Sequence, residues 1–193
     1  MKHLIGILML ASLALPVRAQ AQTTPPTTLL RQRAAALKQL MAKPTSQGRE
    51  RELQGLVGEL LDYEELSRRS LRGNWEKRSA QERAEFQGLL KALIEKSYVR
   101  QIERQPNFSV QWTQEKISKS GERAQVFSLA TSAKTTVAIE YRLLKRNDTW
   151  VAADVVIDGV SMVKNYRRSF RKIIKKDDWA GLIGRMKTKL AEE

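Results

Sequence analysis

The sequence predicts an α+β domain, a four-stranded antiparallel sheet covered by helices. Three observations lead there. Apolar residues recur at helical spacing as far as Pro106. From Phe108 the apolar period drops to two. After Asp158-Gly159 it returns to that of a helix. A run of helices, then strands, then helices fits a layered α+β arrangement.

The first helix is expected over Leu29 to Ala42, stopped by Pro44. A second spans Arg49 to Leu61, weakened by Gly55 and Gly58. Two capping boxes follow, Asp62-x-x-Glu65 and Ser79-x-x-Glu82. The second box opens a long helix with Phe86, Leu89, Leu90, Leu93 and Ile94 on one stripe, ended by Pro106. "FSVQW", "RAQVFSLATS", "TTVAIEYRLL" and "NDTWVAADVVI" then read as strands with one apolar face each, joined by turns at "SKSG" and "RND". The last strand runs into Asp158-Gly159, where glycine permits the turn. Ser161 is placed to cap the next helix. On that helix Met162, Val163, Tyr166, Phe170, Ile173 and Ile174 share one face. Seven Lys and Arg residues between Lys164 and Lys176 share the other, with no acid between them. A final helix starts at Asp177-Asp178 and ends in basic residues, as the helix dipole favours.

Composition excludes much chemistry. There is no cysteine, and the single histidine is His3. Disulfides, thiol catalysis, thiolate metal sites and a Ser-His-Asp triad are therefore not expected. Residues 1–21 read as a secretory signal peptide: Lys2, an apolar run from Leu4 to Leu15, then Ala19 and Ala21 as small cleavage-site residues. Cleavage is expected after Ala21 or Ala19. The apolar run is too short to span a bilayer. Residues 22–28, with two prolines, read as a disordered linker, and 29–193 as one domain. The formal charge is +14, and losing Lys2 and Arg18 leaves +12. A basic exported protein expects an acidic partner: anionic lipid, an acidic polymer or an acidic protein, and not nucleic acid. Carboxylate chemistry with Asp154, Asp158, Tyr141 and Tyr166 stays open, against the simpler reading of a turn aspartate and a paired strand aspartate. Trp75, Trp112, Trp150 and Trp179 are expected to anchor core and edges.

Two stretches carry a family resemblance. One holds Trp150, Asp154, Asp158-Gly159-Val160-Ser161, Asn165-Tyr166-Arg167 and Phe170. The other holds Asp62-Tyr63-Glu64-Glu65-Leu66, Gly73, Trp75, Glu82-Arg83, Glu85-Phe86 and Tyr98. In order and spacing, over about Gly58 to Leu190, the chain resembles the MlaC family of periplasmic phospholipid-binding proteins. It departs from that family at Leu61, where phenylalanine is frequent. The resemblance implies an NTF2-like fold around an apolar pocket. It also implies a soluble, monomeric periplasmic carrier that is not an enzyme and needs no cofactor or metal. Its cargo would be phospholipid. Its partners would be an inner-membrane ABC transporter complex with an MCE-domain protein and an outer-membrane lipoprotein–porin complex. On that basis Val137, Ile139, Tyr141, Val155 and Ile157 are expected to form the sheet wall of the pocket. Ile94, Tyr98, Val160, Val163 and Tyr166 would form the helical wall. Arg167, Arg168, Arg171 and Lys175 are candidates for partner docking. The alternative is a basic periplasmic adaptor that binds envelope protein or polymer without lipid.

Overall fold

The computed structural model describes residues 24–105, 107–133 and 135–192. The expected signal peptide, the first two residues of the expected linker, and Pro106 lie outside the described residues. Helix α1 (Pro26–Met41) begins inside the segment read as linker. The physical reason is Pro26 itself: at the first helical position its missing N–H is no loss, and its fixed φ suits the helix. Helix α2 (Gln47–Gly58) is capped by Ser46, whose side chain accepts from the Arg49 N–H. It stops at Gly58 because the chain is then taken into the sheet. Ala152 N–H donates to Leu60 O at 2.7 Å, and Asp62 N–H donates to Ala152 O at 2.9 Å.

Asp62 caps helix α3 (Tyr63–Leu71), and a 3-10 turn at Arg72–Asn74 follows. Helix α4 (Ala80–Glu103) opens on a complete capping box, with Ser79 and Glu82 each bonding the other's backbone. Such a cap contributes about 1 kcal/mol.

The sheet is an antiparallel meander of five strands, not four, in the order of the chain: β1 (Phe108–Ile117), β2 (Arg123–Ser132), β3 (Thr135–Arg146), β4 (Thr149–Ile157) and β5 (Val160–Ser161). The fifth strand was missed because two residues show no period. It exists because Asp158 and Gly159 both take positive φ, 47° and 79°, and return the chain along β4. Asp158 also pins this turn to β3, its carboxylate accepting from Ala138 N–H at 2.8 Å. Irregularities at Trp112/Gln114 and at Arg142/Leu143 break the register, and such bulges bend a sheet.

Helix α5 (Met162–Glu192) is broken at Asp177 and Asp178, where the backbone leaves the helical region. The two helices expected from the sequence thus run on from one another, and Asp178 caps the second by accepting from Gly181 N–H. The start of α5 is held by one buried side chain. Asp154 is 1% exposed, accepts from Ser161 Oγ at 2.6 Å and from Val163 N–H at 3.0 Å, and pairs with Arg142 at 3.4 Å. Ser161 Oγ in turn accepts from Lys164 N–H.

The apolar residues divide into two clusters. The larger joins α3, α4, α5 and the sheet through residues such as Leu66, Phe86, Leu90, Ile94, Val126, Leu143 and Leu182. Phe86 stands edge-on to Phe170, ring centroids 5.3 Å apart. Each such buried side chain contributes about 1.5–3 kcal/mol. The smaller cluster, Leu40, Leu53 and Val99, ties α1 and α2 to α4. The two are not packed together, and a space lies between them.

Candidate functional site: an apolar cavity between the sheet and α1, α2 and α4

Strand pairing fixes the floor of this space. Residues two apart on a strand face one side, so the register stacks them in rows. The rows run from Phe108, Ser132 and Thr135 through Val110, Ala130 and Val137, then Trp112, Ile139 and Ile157, to Tyr141 and Val155. Six residue steps along β3 separate the Thr135 row from the Tyr141 row, about 20 Å at strand rise. The opposite wall is helical: Leu30, Ala34 and Leu37 of α1, Leu56 and Val57 of α2, Leu60 and Leu61 beyond it, and Tyr98 and Ile102 of α4. Together they enclose a cavity of about 310 Å³, within the range of small-molecule sites. That is far more than a packing defect, which seldom exceeds a water molecule. Val110, Trp112, Val137, Ile139, Tyr141 and Ile157 are only half-buried, so part of their apolar surface meets the cavity.

One end of the cavity is polar. Gln101 on the last turn of α4, Gln105 just past its C-cap, and Thr131, Ser132 and Thr135 by the β2–β3 turn line it there. All but Ser132 are exposed, so this end is the opening. At the closed end burial pushes the Tyr141 phenol up to about 12, and Tyr98 is raised for the same reason. Both stay protonated and neutral at ordinary pH. Helix α1 runs along β1 as a flank: Thr27 bonds the Glu115 carboxylate, Arg31 lies over Trp112 and Lys38 over Phe108.

Six of the ten residues expected to line a pocket do so: Tyr98, Val137, Ile139, Tyr141, Val155 and Ile157. Four do not. Ile94 and Val163 are 0% and 1% exposed within the large core, where α4 and α5 pack face to face. Tyr166 stacks on Phe170, centroids 5.3 Å apart, on the same core side of α5. Val160 lies in β5 and points to solvent, 56% exposed, because the tight turn that forms β5 reverses its direction. Missed were the α1 and α2 residues. Leu30, Ala34 and Leu37 do follow helical spacing, and Phe108, Val110 and Trp112 alternate, so the signal was present.

Of the basic residues on α5, Arg168, Arg171 and Lys175 are exposed. Arg167 is not free for docking. Its guanidinium donates twice to Arg69 O, at 3.0 and 2.8 Å, and so fastens α5 to α3. The aspartates weighed for proton transfer have other tasks: Asp154 holds the start of α5 and Asp158 pins the β4–β5 turn. Among the described residues there is no cluster of three or more potential metal ligands, and no helix is long and apolar enough to cross a membrane.

Comparison with known proteins sets this cavity in a family. No curated protein matches the chain. Among solved structures it resembles a phospholipid-binding protein from Ralstonia solanacearum, solved in complex with a phospholipid. The two are 18% identical, superpose with a TM-score of 0.72, and align over 86% of this chain and 94% of that one. At that identity the likeness is one of fold. The model of the family described as MlaC protein matches residues 29–188, and the chain belongs to the MlaC family.

Proposed function

We propose that this protein is a periplasmic phospholipid carrier that shields acyl chains from water while moving between membrane-bound partners. The observation that carries the reading is the half-buried apolar face of β1, β3 and β4, which the protein's own side chains cover only in part. Its depth of about 20 Å exceeds half the ~30 Å hydrocarbon thickness of a bilayer, so one leaflet's chain length fits. Each methylene removed from water contributes ~0.8 kcal/mol, so two ordinary acyl chains represent roughly 20 kcal/mol. A lipid does not cross water freely against such a term. Family membership and the fold shared with a phospholipid-bound structure support the same cargo. In this reading the arrangement is NTF2-like, residues 1–21 direct export and are removed, and the carrier is a monomer without cofactor. Its partners are an outer-membrane lipoprotein–porin complex and an inner-membrane MCE-domain transporter, met through the basic face of α5.

The test is direct. Protein purified from the periplasm without detergent is extracted with organic solvent, and lipid phosphate is measured against protein. The carrier reading expects close to one phospholipid per chain. Protein that folds normally, carries no phospholipid and takes none from vesicles would instead be the basic adaptor.

A further inference from the structure

Among the described residues that line the cavity, Arg33, on α1 between Leu30 and Leu37, is the single charged one. Its guanidinium pairs with the Glu59 carboxylate just beyond α2. That pair is open to water, the side chains being 30% and 63% exposed, and exposed ion pairs contribute little. From the cavity side the situation differs. There the walls are apolar, no acidic residue is among the described ones lining them, and a second anion meets the same guanidinium with less screening. A guanidinium also matches phosphate oxygens in a two-bond fork, which an amide or a lysine does not. The other polar groups among these lining residues, on Tyr98, Gln101, Gln105, Thr131, Ser132, Thr135 and Tyr141, are neutral.

We propose that Arg33 is the phosphate-recognising residue of this cavity, exchanging Glu59 for the phosphodiester of a lipid whose chains lie on the sheet. The assignment rests on the carrier reading. Its consequence is a selectivity: lipids with a phosphate are kept over lipids with the same chains and none. Glu59 competes with the cargo for the guanidinium and tunes how firmly it is held.

The experiment loads the full protein from vesicles holding phosphatidylglycerol and diacylglycerol of matched chains in equal amounts, then measures both in the re-isolated protein. Wild type is expected to retain mainly phospholipid. Arg33→Gln is expected to lower the phospholipid-to-diacylglycerol ratio about tenfold, the worth of a charged hydrogen bond. Glu59→Gln is expected to raise the ratio. Inorganic phosphate in large excess is expected to leave loaded phospholipid in place. An unchanged ratio in both variants overturns the role of Arg33 and leaves the carrier standing. Displacement by inorganic phosphate overturns the headgroup assignment in favour of a free-anion site. Wild type that takes up neither lipid overturns the carrier reading and this assignment with it.

Discussion

Glu95 shows how one residue is constrained by its neighbours. It sits on α4 beneath the end of α2, with a side chain 14% exposed and Lys91 3.9 Å away. Gly58 makes room for it: a Cβ there would collide with Glu95 Oε1. Burial lifts the Glu95 carboxyl above its ordinary range, against the pull of Lys91 and the Tyr63 hydroxyl. The sign of the consequence follows. A carboxyl whose folded value is raised disfavours its charged form in the folded state. The contribution is harmless below the unfolded value of ~4.3 and turns unfavourable as pH rises through the folded value. Glu95→Gln should therefore stabilise the protein near neutral pH and lose that advantage in acid. Urea unfolding at several pH values checks this. An advantage that does not change with pH would show that desolvation of the charge is not the cause.

At the scale of elements, α5 has two faces with separate duties. Met162, Val163 and Phe170 are buried in the large core, while Lys164, Arg168, Arg171, Lys172, Lys175 and Lys176 are exposed. Such a face steers association with acidic surfaces, chiefly through on-rate, over a Debye length of ~8 Å at physiological salt. Reversing Arg168 and Arg171 to Glu should slow association with the proposed membrane partners by about tenfold or more at low salt. Bound lipid should be unchanged and the difference should close at high salt. Surface-based binding kinetics read this out, and equal on-rates at low salt would remove α5 from docking. The elements were legible in the sequence to different degrees. Long strands with strict alternation and helices with boxed starts declared themselves, as at Ser79 and along β3. The start of α1 did not, because a proline pair marks a helix entry and a linker alike. Strand β5 did not, because Val160 and Ser161 are too few to show a period and owe their pairing to the turn before them. Val160 is apolar and suits the expected pocket wall, but the reversal at Gly159 turns it out.

The whole molecule is two apolar clusters with a space between, and this level was the least legible. An apolar stripe on a helix looks the same whether it meets a core or a cavity. Leu93 and Ile94 on α4 are buried, whereas Ile102, two turns further on the same helix, lines the cavity. Only the fold separates them, since α2 and the end of α1 pack on Val99 and a space is left over the sheet. The sheet residues were easier, because one face of β3 had to be covered by something. Trp112 offers the sharpest probe of what covers it. It lines the cavity beside Tyr141, 6.0 Å between ring centroids, while Trp75 and Trp150 are buried in the large core and Trp179 packs on Phe86. The decisive measurement is tryptophan fluorescence of protein loaded with phospholipid brominated along its acyl chains. If hydrocarbon fills the cavity, emission is quenched in the wild type and the quenching is largely lost in Trp112→Phe. Loaded protein that shows no quenching, or the same quenching in Trp112→Phe, would mean that the chains lie elsewhere.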